Sequence, residues 1–156
     1  MLTSTQISSY NKNGYLVVKD FLSDTQRKLL MERAEALIDD FDPSSSHSIF
    51  TTNEQERSSD DYFLSSGDQI RFFFEEKAID SMGNFTVPKQ KSINKIGHAQ
   101  HELDPIYKKV INSLDIPEIG KQLGIQKPRK LQSMHIFKQP NIGGEVGLHQ
   151  DSTFLY

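Results

Sequence analysis

The stretch from Ser23 to Phe41 constrains the fold of this chain more than any other part of its sequence. Leu30, Ala34, Leu37, Ile38 and Phe41 recur at spacings of three and four, which lines them along one face of a helix. Ser23-Asp24-Thr25-Gln26 stands just before that pattern as a capping box. Its serine hydroxyl can accept from the third helical amide while the glutamine side chain reaches back, and Asp24 suits the positive end of the helix dipole. A helix with one apolar face must bury it against another element. Strand-like patterns further along supply one, since Leu131 to Lys138 alternates and Gln69 to Phe74 is a short apolar run. Helices first and strands last suggest the α+β class.

Around that helix the sequence predicts further elements. Ser4 or Thr5 caps a short helix through Tyr10, stopped by Gly14 in the left-handed conformation, and Tyr15 to Val18 reads as a short strand. Pro43 and the serines after it end the long helix, and the polar stretch to Asp61, with His47 in it, reads as a mobile loop. Tyr62-Phe63-Leu64 and Gln69 to Phe74 are expected to form a hairpin about Ser65 to Asp68, and Asp80 to Asn84 a turn. From Ile93 to Leu123 the apolar residues return to helical spacing, broken at Pro105 and Pro117 and stopped at Gly124. Gln139 to Gly144 turns the chain, with the next strand expected from Glu145 onward. No internal repeat or linker divides the 156 residues, which fit one domain with a real core.

Several function classes drop out. There is no cysteine, so disulfides, thiolate metal sites and cysteine nucleophiles are excluded, and a reducing compartment fits. A net charge of -3 offers no electrostatic reason to bind nucleic acid or an anionic membrane. No apolar run approaches the roughly 20 residues of a membrane span. The start lacks the pattern of a secretory signal and the end is not a peroxisomal address, which leaves the cytoplasm as the expected location. Phosphate-loop, dinucleotide-binding and nucleophile-elbow motifs are missing as well.

The residues that carry chemistry sit near the end. His149 and Asp151 are two apart after the Gly143-Gly144 turn, so on an extended segment both side chains face the same way. An imidazole and a carboxylate converging there are two of the three ligands of a 2-His-1-carboxylate iron site. The pair alone does not discriminate, because five histidines among 21 acidic residues yield such spacing about once by chance. An exposed or hydrogen-bonded His-Asp pair satisfies the same pattern. His98 and His101, three apart, could share a helix face and hold a metal or stand as surface histidines. By strand alternation His135 lies opposite Met134, so at most one of the two faces a site. Phe72-Phe73-Phe74 reads either as a ligand-facing wall or as a strand buried on both faces. Lys89, Lys91 and Lys95 either attract an anion or form a solvated run.

A longer set of motifs resembles one family. Asn13 to Val18 with Asp20 to Ser23, Tyr62 to Asp68, Ile70 to Glu75, Lys91 to Ala99, Gln132 to Met134 with Ile136 to Pro140, and Gly143 to Val146 before His149-Gln150-Asp151 look like the phytanoyl-CoA dioxygenase family, in order along essentially the whole chain. The resemblance implies an Fe(II)- and 2-oxoglutarate-dependent dioxygenase, with ascorbate as a further cofactor, built as N-terminal helices on a double-stranded β-helix (jelly roll). It implies His149 and Asp151 as iron ligands, and Lys95, Met134 and Gln150 as contacts of 2-oxoglutarate. The expected substrate is a small molecule resembling an acyl-CoA. Family members continue through further strands to a distal His and an Arg that this sequence lacks. Residues 1–156 are therefore expected to be the N-terminal portion of a single, truncated domain with little or no turnover. The alternative is a catalytically silent fragment acting as a binding module.

Overall fold

The computed structural model describes residues 1–45, 48–49 and 60–150. His47, most of the polar loop and Asp151 to Tyr156 lie outside the described residues. The first helix, α1 (Ser4–Asn13), is capped by Thr3, whose hydroxyl accepts from the Gln6 amide at 3.2 Å, and ends at Gly14 with φ 79°. The cap is thus one residue earlier than expected and the helix longer, while the stop at Gly14 holds. Helix α2 (Asp24–Asp40) has the full capping box of Ser23 and Gln26, and buries Ala34 and Ile38. At its other end the Lys89 ammonium donates to the carbonyls of Asp39 and Phe41, at 2.8 and 3.0 Å. A cation there suits the negative end of the helix dipole, so Lys89 is neither an anion trap nor simply solvated.

After a short turn at Pro43–Ser45 comes α3 (Asp61–Leu64), then strand β1 (Ile70–Phe74), α4 (Lys89–Ser92), β2 (Ile93–His98), α5 (Gln100–Leu103), α6 (Pro105–Ser113), α7 (Ile116–Gln122) and β3 (Ser133–Ile136). The three strands form one antiparallel sheet in the order β1-β2-β3. Its central strand is buried along its whole length. Phe72, Phe74, Ile93 and Ile96 pack against Ala34 and Ile38 of α2, joined by Leu37, Phe41, Ile70, Ile79 and Phe137. Phe41 stacks on Phe72 with ring centres 4.1 Å apart. The predicted helix face and the predicted strands meet, and the α+β class holds. Among the described residues no helix is long and apolar enough to cross a membrane.

Several expectations fail. Tyr62-Phe63-Leu64 is helix rather than strand, because the Asp60 carboxylate accepts from the amides of Tyr62 and Phe63 at 2.9 and 3.1 Å and nucleates a turn. β1 consequently pairs with β2 instead of closing a hairpin. Ile93 and Ile96, three apart, fit a helical template, yet they lie on a strand. Between Phe73 and Phe74 the register shifts, Phe72 facing Ile96 and Phe74 facing Ile93, so a bulge brings residues three apart onto one face. Tyr15 to Val18 joins no strand, and Tyr15 and Val17 are mostly exposed. Residues 145–150 likewise form no strand. Pro105 and Pro117 open α6 and α7 rather than break one helix, since the first turn of a helix has no use for the amide that proline lacks.

Candidate active-site face

The sheet face turned away from α2 carries Lys95 and Met134. Lys95 pairs with Ile136 and Gly97 with Met134, and directly opposed residues of an antiparallel pair share a face. Lys95 is therefore a diagonal neighbour of Met134, and the Met134 Cγ lies 3.5 Å from where a Cβ on Gly97 would stand. Lys95 is 6% exposed and Met134 42%. His135 takes the other face, where its Nδ1 is 2.6 Å from the Tyr107 hydroxyl and its ring lies 4.8 Å from that of Phe137. Burial lowers the pKa of His135. The same burial, with the nearby Asp104 carboxylate, raises that of Tyr107. Met134, and not His135, thus shares a face with Lys95.

Helix α3 roofs one end of this face. Tyr62 and Phe63 meet Phe73 edge-on, at 5.6 and 5.8 Å, and the Lys95 ammonium sits 5.1 and 5.0 Å from the Phe63 and Phe73 ring centres. Those distances suit cation-π attraction. Arg71 is tied to the roof, donating to the Tyr62 carbonyl and to the Ser65 hydroxyl, with its guanidinium 4.5 Å over the Tyr62 ring. The phenylalanine triplet is therefore divided, Phe72 and Phe74 in the core and Phe73 beneath Lys95, as in a strand buried on both faces.

His98 completes the enclosure. Its Nδ1 lies 2.8 Å from the Ser66 hydroxyl, which itself donates to the Phe63 carbonyl at 2.5 Å. A serine has one hydroxyl proton, and here it goes to the carbonyl, so Ser66 accepts from His98 Nδ1–H. That assigns the neutral ring its tautomer and leaves the lone pair on Nε2. Burial, with Lys95 adding repulsion, pushes the His98 pKa down to about 4. His101 is bonded to Ser133, its amide and Nδ1 each 3.0 Å from that hydroxyl. The two histidines lie on a strand and a helix and each has a serine partner, which differs from a shared helix face.

The terminal segment is more open. His149 and Gln150 are exposed, and His149 Nδ1 is 2.8 Å from the Gly147 carbonyl. Asp151 lies outside the described residues, and among those described no cluster of three or more His, Cys, Asp or Glu could hold a metal. Sequence reading missed both Ser66 beside His98 and Glu75, whose buried carboxylate accepts from the Gly144 amide at 2.9 Å. Isolated Ser and Glu residues carry no spacing signal that could have found them.

The sequence model of phytanoyl-CoA dioxygenase (PhyH) matches residues 10–156. The chain belongs to the phytanoyl-CoA dioxygenase family. It is 46% identical to phytanoyl-CoA dioxygenase domain-containing protein 1 of Bos taurus, over 99% of this chain and 55% of that protein. It is 47% identical to phytanoyl-CoA dioxygenase of Arabidopsis thaliana, over 99% of this chain and 54% of that protein. A homologue of domain-containing protein 1 from Caenorhabditis elegans is 44% identical, over 94% and 51%. The chain thus spans about half the length of the curated relatives it matches. The phytanoyl-CoA dioxygenase family implies a jelly roll; three antiparallel strands with α2 packed on one face are what the described residues display.

Proposed function

We propose that this chain carries the N-terminal part of an Fe(II)- and 2-oxoglutarate-dependent dioxygenase domain, residues 1–156 forming one unit. The observation that carries the reading is the joint placement of Lys95 and Met134 on one sheet face, in a chain of the phytanoyl-CoA dioxygenase family. The donor chemistry fits iron. His149 is bonded through Nδ1 to the Gly147 carbonyl, the arrangement in which a metal-ligating histidine uses Nε2 and is aimed by its other nitrogen. His149 and Asp151 would hold the metal. Bound iron with 2-oxoglutarate would supply activation of O2 for hydroxylation of a substrate C–H bond, with succinate and CO2 as co-products; ascorbate would keep the metal reduced.

The chain's own residues would bind and orient. Lys95, the cation held over two rings on the Lys95–Met134 face, supplies the charge that a carboxylate needs on leaving water. Met134 offers an apolar, adaptable wall beside it, and Gln150 an amide next to the ligands. The substrate is proposed to be a small molecule resembling an acyl-CoA, and the site cytoplasmic. With two of three iron ligands in this sequence, turnover by these residues alone is proposed to be low. The other reading, a silent binding module, draws support from Met134, Ile136, Val146 and Leu148, all substantially exposed on or beyond β3.

Anaerobic titration of the chain with Fe(II) and 2-oxoglutarate separates the two. The oxygenase reading expects a saturable metal-to-ligand charge-transfer band that His149→Ala and Asp151→Ala abolish and Lys95→Met weakens. A natively folded chain with no band, and no succinate formed in air, would favour the binding module.

A further inference from the structure

We propose that Glu75 is the positioning residue for the segment of residues 143–150 that carries His149; its link to iron rests on the oxygenase reading. Glu75 follows directly on β1 and is 1% exposed. A carboxylate so deeply buried is costly unless it is paired. None of the salt bridges among the described residues includes it. Its Oε2 accepts from the Gly144 amide at 2.9 Å, across 69 positions of sequence. Its Oε1 is also buried and has no partner among the described residues. The Gly144 amide is therefore the hydrogen-bond donor that the side chain meets among the described residues.

The two ends of that bond differ in a way that explains it. The acceptor end is rigid. Glu75 donates its amide to the Ser92 carbonyl at 2.8 Å and accepts from the Ala78 amide at 3.0 Å, and both Phe74 and Ser92 are fully buried. The donor end is a tight turn at the surface. Gly143 donates to the Gln139 carbonyl at 3.0 Å, and a Cβ on Gly143 would come within 2.8 Å of that same oxygen. Beyond it, residues 145–150 are exposed and outside any strand. Glu75 thus clamps the chain to the core five residues before His149, where the direction of the segment is set.

Hydrogen-exchange mass spectrometry on the full chain, with Fe(II) affinity measured in parallel, tests this. In Glu75→Ala, the Gly143 and Gly144 amides, which both have acceptors, should exchange about tenfold faster or more, with peptides over Ile93–His98 unchanged, and Fe(II) affinity should fall about tenfold. Glu75→Gln keeps a carbonyl oxygen for the Gly144 amide, so exchange and affinity should stay within about twofold of the starting chain. Gly144→Pro deletes the donor from the exposed side and should reproduce Glu75→Ala, which keeps the test intact should the alanine variant not fold. Unchanged exchange in residues 143–150 overturns the proposal, as does faster exchange with undiminished Fe(II) affinity. If the starting chain binds no Fe(II), the oxygenase reading fails by itself, and the exchange contrast still decides whether Glu75 holds the segment.

Discussion

His98 should make the stability of this protein fall in mild acid. In the folded chain its pKa is near 4, depressed by burial and by Lys95 from an ordinary 6.5. Between those values the unfolded chain takes up a proton that the folded chain does not, so stability declines as pH falls from about 6.5 to about 4. Below that both states are protonated and the contribution levels off. At about 1.4 kcal/mol per pH unit the loss reaches up to about 3 kcal/mol. His135 is depressed too and adds in the same direction, so the slope must be read by difference. Asp80 and Glu102 have lowered pKa values, and their contribution is lost further into acid. Urea denaturation midpoints at several pH values between 4.5 and 7.5 are to be compared for the chain and His98→Gln. The substitution removes the Ser66 hydrogen bond at every pH, and its cost should shrink steadily towards pH 4.5. Two parallel stability curves would refute the assignment of the proton-linked loss to His98.

Other perturbations have equally direct readouts. Asp104 accepts from Arg33 at 2.7 Å and from the amides of Ile106 and Tyr107, so Asp104→Ala removes a helix cap and strands a partly buried guanidinium; about 3 kcal/mol should be lost in chemical denaturation. Gly143→Ala drives a Cβ against the Gln139 carbonyl and should cost about 1–3 kcal/mol, with faster amide exchange confined to residues 139–150. Ser23→Ala breaks the capping box of α2 and should cost about 1 kcal/mol, lowering the melting temperature by about 2–4 °C.

Periodicity and capping made the long helix legible from sequence, because both are local. Ala34 and Ile38 are buried as their spacing requires, and Ser23 and Gln26 form the expected box. The alternation of Leu131 to Lys138 likewise marked β3 and the opposite facing of Met134 and His135. Family-specific motifs did the rest, since a run such as Ile70 to Glu75 is informative only when several such runs keep their order. What the sequence could not decide lies where tertiary pairing overrides local pattern. Ile93 and Ile96 share a face through a bulge and not through a helical turn, and Tyr62 to Leu64 coil because a neighbouring carboxylate caps them. The chemistry of the site belongs to the second group also. Lys95, His98, Ser66 and Phe63 become one enclosure, and Glu75 meets Gly144, only when segments far apart in the chain are brought together. Local spacing determines which face of an element is apolar; which side chains meet across elements depends on register, bulges and burial, and those exist only in the folded chain.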